Sequence, residues 1–178
     1  MFVSTERLQS GSFEELALPL FDQLFNFARW LTHDQAEAED LVQETYTKAL
    51  RGFGSFQQGT NFRAWIYRIL RNTFLTSRTG LRATAVTVEI DDEVAPELAD
   101  RETPESIFLE RSNQNLLQSA IEELPVAFRE VLLLCEVEEM SYQEIAETLS
   151  IPIGTVMSRL ARARGTLRRN LRGKAARI

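Results

Sequence analysis

One cysteine and one histidine are all that this sequence holds of two side chains central to transition-metal sites. Cys135 has no second thiol to pair with, which excludes an internal disulfide, and with His33 it falls short of the four ligands of a structural zinc. Nothing approaches the roughly 18 consecutive apolar residues of a membrane span. The start of the chain, Met1 to Glu15, lacks the basic region and apolar run of a signal peptide. The expectation is a cytoplasmic protein with no membrane insertion, no metal and no cofactor. No catalytic constellation can be assembled, which argues against an enzyme. Cys135 closes the apolar run Val131-Leu-Leu-Leu-Cys135 and reads as a buried thiol. His33 reads as a helix end, where a cation suits the negative pole of the helix dipole.

What is present is an ordinary apolar content, 44%, in 178 residues, enough for one medium domain or two small ones. The net charge of −6 conceals a segregation. Residues 141–178 carry eight Arg or Lys against Glu144 and Glu147, whereas residues 86–110 carry nine acids against Arg101 alone. A basic tail behind an acidic stretch points to nucleic acid at one end and another partner elsewhere.

Apolar residues spaced by three and four (Leu16, Leu20, Leu24, Phe27, Leu31) predict an amphipathic helix over 13–32. A second is expected from Gln35 to Arg51, with Asp34 as N-cap, Gly52 as stop, and Ala38, Leu41, Val42, Thr45, Tyr46 and Ala49 inward. The Gly-rich stretch 52–60 is a loop. A third helix follows from Asn61 to Ser77, with Phe62, Trp65, Ile66, Ile69 and Leu70 on one face and Arg63, Tyr67 and Arg71 along another. Periodicity is lost from Gly80 to Pro104, a flexible acidic linker in which Val86–Ile90 could make only an isolated strand. Helical pattern returns at 104–123 and 127–136. Ser141 and Glu144 then form a capping box. The fold class is all-α: two small helical domains, 1–80 and 111–178, joined by the linker 81–110.

Residues 142–167 have the form of a helix-turn-helix. A first helix runs from Ser141 to Leu149, with small Ala146 where the helices must approach closely. Ser150 to Gly154 is the turn, and Pro152 bars continuation. The second helix turns Val156 and Leu160 inward and offers Thr155, Ser158, Arg159, Arg162 and Arg164 outward. Small polar groups and Arg near a helix N-terminus suit base edges, and cations further along suit phosphates.

Three blocks, in order, resemble a known family. Ala36-Glu-Ala-Glu-Asp-Leu-Val-Gln-Glu-Thr-Tyr46 is similar to region 2.2 of sigma factors. Residues 61–74 are similar to their regions 2.3 and 2.4. Leu124–Leu134, Ser141–Ala146 and Gly154–Arg164 are similar to region 4. The chain thus resembles the sigma-70 superfamily, in the extracytoplasmic-function (ECF) group, which has domains 2 and 4 only. The block Gly59–Trp65 resembles members controlled by redox-responsive zinc anti-sigma factors.

That resemblance implies partners and site residues. Glu37, Asp40, Leu41, Gln43 and Glu44 would dock core RNA polymerase at the clamp helices of its largest subunit, and domain 4 would meet the flap region. Phe53, Phe56, Asn61, Arg63, Tyr67, Arg68, Arg71 and Asn72 would engage the promoter minus-ten element, where strand opening needs a place for an unstacked base and cations for the strand. Phe53 and Phe56 suit either a base pocket or a core, while Trp65, on the apolar stripe, reads as packing. Thr155, Ser158, Arg159, Arg162 and Arg164 would read the minus-thirty-five element. The linker would thread the polymerase channels or serve as a spacer, and an anti-sigma factor would regulate the chain. The alternatives are a stand-alone helix-turn-helix regulator, which needs a ligand or dimerisation domain in residues 1–110, and an interaction protein, which needs no basic recognition helix.

Overall fold

The computed structural model describes residues 11–79 and 114–175, and among them there is no strand. The acidic linker, the Val86–Ile90 run, and the beginning of the helix expected from Pro104 lie outside these residues.

The first unit opens with α1 (Phe13–Ala17), capped by Ser12 and Glu15 in a reciprocal box. The continuous helix expected over 13–32 is broken at Pro19. Proline lacks an N–H and its ring collides with the preceding turn, so the chain tightens into a 3-10 turn, Leu18–Leu20, and restarts as α2 (Phe21–Thr32). His33 ends α2 in the left-handed conformation, φ 61°. Asp34 then caps α3 (Gln35–Gly52) by accepting from the Glu37 N–H at 2.9 Å. Gly52 is the last residue of α3 rather than its stop, and a 3-10 turn, Phe53–Ser55, follows. Asn61 Oδ1 accepts from the Ala64 N–H at 3.0 Å and starts α4 (Phe62–Thr79).

Leu24, Phe27 and Leu31 of α2, Leu41 and Val42 of α3, and Ile66 and Leu70 of α4 are buried together, as their spacing predicts. Each such side chain contributes about 1.5–3 kcal/mol.

The second unit holds α5 (Gln114–Glu122), α6 (Val126–Glu136), α7 (Tyr142–Leu149) and α8 (Ile153–Ala175). Pro125 separates α5 from α6, and the expected Ser141–Glu144 capping box starts α7. Ser150 ends α7 at φ 55°, and after Pro152 the chain enters α8. Val156, Leu160, Ala163 and Leu167 bury one stripe of α8. Its far end is tied to α5 by Asn170 Nδ2 donating to the Ala120 carbonyl and Lys174 Nζ donating to Glu123. The two units pack face to face, α4 against α7 and α2 against α6.

Candidate polymerase and nucleic-acid interfaces

Because α3 buries one stripe, its opposite face is free to carry charge. Asp40, Gln43 and Glu44 are exposed there. Glu44 pairs with Lys48 at 3.2 Å, and Glu37 accepts from Arg78 at 2.9 Å. Leu41, named with them from sequence, is 6% exposed and packs into the core instead. Beside the acidic stripe lies a groove of about 650 Å³, walled by Phe21, Phe25, Val42, Tyr46 and Leu50, with Gln43 and Thr47 supplying polar groups. Tyr46 is held in place by donating its hydroxyl to the Ala17 carbonyl at 2.6 Å. Leu50 is 56% exposed. Sequence reasoning missed this apolar wall. The available signal was Leu50 standing two turns beyond Gln43 and one beyond Thr47 on an otherwise polar face.

The cationic face of α4 is covered. Arg63 Nη2 donates to the Glu138 carbonyl at 2.6 Å and to its carboxylate at 3.2 Å. The Tyr67 hydroxyl donates to the same carboxylate at 2.6 Å. Arg68 donates from Nε and Nη2 to the Glu147 carbonyl. Arg71 grips Glu130 with two bonds, 2.8 and 3.1 Å. Asn61 Nδ2 donates to Glu144 at 2.8 Å, so the cap of α4 is joined to the capping box of α7. Tyr67, expected to track a strand, is 0% exposed, because its ring packs on Phe27 and its hydroxyl finds a carboxylate. Asn72 stays exposed. Burial opposes the Glu144 charge, yet hydrogen bonds from Ser141 and Asn61 hold its carboxyl below the ordinary range.

Aromatic residues close the loop before α4. Phe56 is 7% exposed, stacks on Phe53 at 6.0 Å, and meets Phe62 and Trp65 edge-on or tilted. Trp65 packs against Phe62 as its place on the stripe implied. Of the two readings left open for Phe56, the core holds it here, and Phe53 is half-buried beside it. Gln57 to Thr60 form the exposed tip, where Gly59 takes φ 86°.

On α8, Ser158 is exposed while Thr155 and Arg162 are half-exposed. Arg159 lies 3.9 Å from Glu130, and Arg164 binds Glu136 at 2.7 Å. Glu130 therefore stands between an arginine of α4 and one of the recognition helix. Burial pushes its carboxyl up, and Arg71 and then Arg159 oppose that. Ile153 and Met157, absent from the sequence-based set, are exposed on the first turns. Cys135 is half-buried, and burial and Glu136 push its thiol up, away from the thiolate a nucleophile needs. His33 is the helix end expected, but it faces a cation there: its Nε2 accepts from Arg129 at 2.7 Å, and burial, with Arg129 next, lowers its pKa.

The geometry describes, in the first unit, four helices with an acidic, groove-bearing one beside a cationic one, joined to a helix-turn-helix. Residues 19–84 match the family model for sigma-70 region 2, and residues 114–167 match that for sigma-70 region 4. The ECF RNA polymerase sigma factor SigE of Mycolicibacterium smegmatis is 37% identical over 88% of this chain, which spans 60% of that relative. The RNA polymerase sigma-H factor of Pseudomonas aeruginosa is 36% identical over 89% of this chain and 87% of its own length. The sigma factor RpoE of Bartonella quintana, solved in complex with the anti-sigma factor NepR, superposes with a TM-score of 0.68 at 31% identity, covering 90% of this chain and 96% of that one. The fold is shared with CnrH, solved with the cytosolic domain of CnrY, at a TM-score of 0.64, 24% identity, and coverage of 90% of this chain and 88% of that one. The chain belongs to the sigma-70 family of RNA polymerase sigma factors, in its extracytoplasmic-function group.

Proposed function

We propose that this sigma factor divides its work among three surfaces and catalyses nothing itself. Residues 1–80 dock core RNA polymerase and engage the minus-ten element, residues 81–110 tether, and residues 111–178 hold the minus-thirty-five element and meet the flap. On α3 the polymerase-facing side chains are Asp40, Gln43 and Glu44, with Glu37 at the near end. The apolar groove at Tyr46 and Leu50 takes the partner helix, and Leu41 supports this face from within. Asn61, Arg63, Arg68, Arg71 and Asn72 face the minus-ten strand. Thr155, Ser158, Arg159, Arg162 and Arg164 belong to the upstream element.

The observation that carries this reading is the exposed apolar groove beside an acidic stripe, on the same unit as the cationic α4. A partner offering apolar side chains flanked by cations fits it, and a stand-alone regulator would leave the groove unused.

An anti-sigma factor is the expected regulator, a reading supported by the Bartonella relative having been solved with one. The block Gly59–Trp65 supports a zinc-binding, redox-responsive one, which metal analysis of the co-purified complex tests. Among the described residues no helix is long and apolar enough to cross a membrane. The cytoplasm, where polymerase and promoter DNA meet, is the proposed place of action.

Run-off transcription with purified core enzyme tests the whole. Leu50→Glu and the pair Asp40→Ala/Glu44→Ala should abolish core binding while leaving helix content unchanged. Arg159→Ala/Arg162→Ala should spare core binding and lose promoter use. Holoenzyme affinity for promoter should fall steeply with salt as phosphate contacts release counterions. DNA binding by a chain that never associates with core enzyme would sink the proposal.

A further inference from the structure

Two of the arginines expected to face DNA on α8 are turned back onto α6. Arg164 donates from Nε at 3.2 Å and from Nη2 at 2.7 Å to one oxygen of Glu136, and Arg159 stands 3.9 Å from the Glu130 carboxylate. Their side chains are only 32% and 17% exposed. We infer that Glu136 and Glu130 are positioning residues for promoter reading: each holds an arginine of α8, and together they fix the rotation of that helix about its own axis. Arg159 and Arg164 then serve the upstream element by placing α8 rather than by touching DNA. This rests on the reading of α8 as the helix that enters the groove.

Helix geometry puts the two pairs where they can do this. Successive residues of an α-helix are about 100° apart, so Arg159 and Arg164, five positions apart, stand roughly 140° from one another. The buried stripe of Val156, Leu160, Ala163 and Leu167 fills the arc between them. Ser158, Ala161 and Arg162 occupy the opposite arc, the first two exposed and the third half-exposed. The arginines therefore bracket the apolar seam, and a glutamate of α6 grips each bracket. Apolar burial is non-directional and leaves a helix free to roll. Charge-assisted pairs on both flanks oppose roll in either sense. A roll of about 20° would carry a side-chain tip some 5 Å from the axis through about 2 Å, more than a hydrogen bond to a base edge tolerates. The fork of Arg164 that would grip a phosphate is already committed, since Nε and Nη2 both point at Glu136.

Phosphate contacts set salt dependence and base contacts set specificity, so the two roles separate in one experiment. Holoenzyme reconstituted with core enzyme is titrated, across a salt series, with a promoter the wild-type chain uses and with single-base variants of its upstream element. Glu130 also meets Arg71 of α4, so the test is made at the other pair. Glu136→Gln and Arg164→Gln should each weaken promoter binding about tenfold, compress the discrimination against single-base variants, and leave the slope of log affinity against log salt unchanged. The exchanged pair Glu136→Arg/Arg164→Glu should recover discrimination. Arg162→Ala, on the outer arc, should lower the slope by about 1. Circular dichroism and core binding confirm that each variant is folded. A slope lowered by about 1 in Arg164→Gln, with Glu136→Gln binding as well as wild type, would overturn the inference and make Arg164 a phosphate contact. Equal losses on the promoter and its variants would overturn it too, since the pairs would then stabilise the unit without setting its rotation. Wild-type promoter use by Arg162→Ala, at an unchanged slope, would instead sink the reading of α8 as the groove helix, and the inference with it.

Discussion

Replacing Tyr67 by phenylalanine isolates one bond of the closed interface. The ring is 0% exposed and tilted on Phe27 at 5.4 Å, and phenylalanine preserves that packing and leaves no cavity beyond one oxygen. What is lost is the hydroxyl donating to Glu138 Oε2 at 2.6 Å, leaving that carboxylate with Arg63 Nη2 at 3.2 Å. A hydrogen bond to a charged group contributes about 1.5–3 kcal/mol, so Tyr67→Phe should raise the unfolding constant roughly tenfold or more. Urea unfolding of Tyr67→Phe, Glu138→Gln and the double variant closes a thermodynamic cycle. The double variant should cost little more than the worse single one, with a coupling of about 1 kcal/mol or above. Additivity within about 0.5 kcal/mol would refute the reasoning, since it would mean that the two side chains do not share a bond in solution.

Protonation of His33 opposes folding, because burial penalises its charge, Arg129 faces its Nε2 and Arg78 lies near, with Glu122 in favour. The folded state binds the proton less readily than the unfolded chain. Stability should therefore be complete above the usual value of 6.5 and decline as pH falls through it towards the lowered folded value, and His33→Gln should flatten that slope in urea midpoints. With α8 in a major groove as proposed, Met157, 54% exposed, would offer an apolar contact to a thymine methyl. Replacing a single upstream thymine by uracil should weaken wild-type holoenzyme about fourfold at the contacted position, and uracil scanning of Met157→Ala should show no such position. Ser150 stands in the left-handed region at φ 55°. Ser150→Gly should gain about 0.5–1 kcal/mol in thermal unfolding, and a lower midpoint would contradict the strain.

The helices were legible because their signals are local. Asp34 and Ser141 cap where their side chains can reach the next turn, and Val156, Leu160 and Leu167 recur at helical spacing. Pro19 was the exception: the apolar period runs through it unbroken, and only the missing N–H shows that the helix must restart. The pairing between the units was not legible. A row of Arg and Tyr on one helix face looks the same whether it awaits a phosphate or already holds a carboxylate far along the chain. The missed signal was Glu130 beside the run Val131–Leu134. A charge embedded in an apolar stripe must be paired, and no cation at helical spacing within α6 serves it. The groove at Leu50 was hidden for the opposite reason, since a single exposed leucine is ordinary and only its neighbours from α2 make it a wall.

The bond between Asn61 and Glu144 has a consequence for modularity. Each residue starts a helix in its own unit and also grips the other, so neither cap is independent of the unit across from it. Exchanging the second unit for that of a relative would transplant a DNA-reading helix but not a matched set of carboxylates. Such a hybrid would lose the bonds that join the two units, so domains that look interchangeable by sequence would still be fitted to each other as pairs.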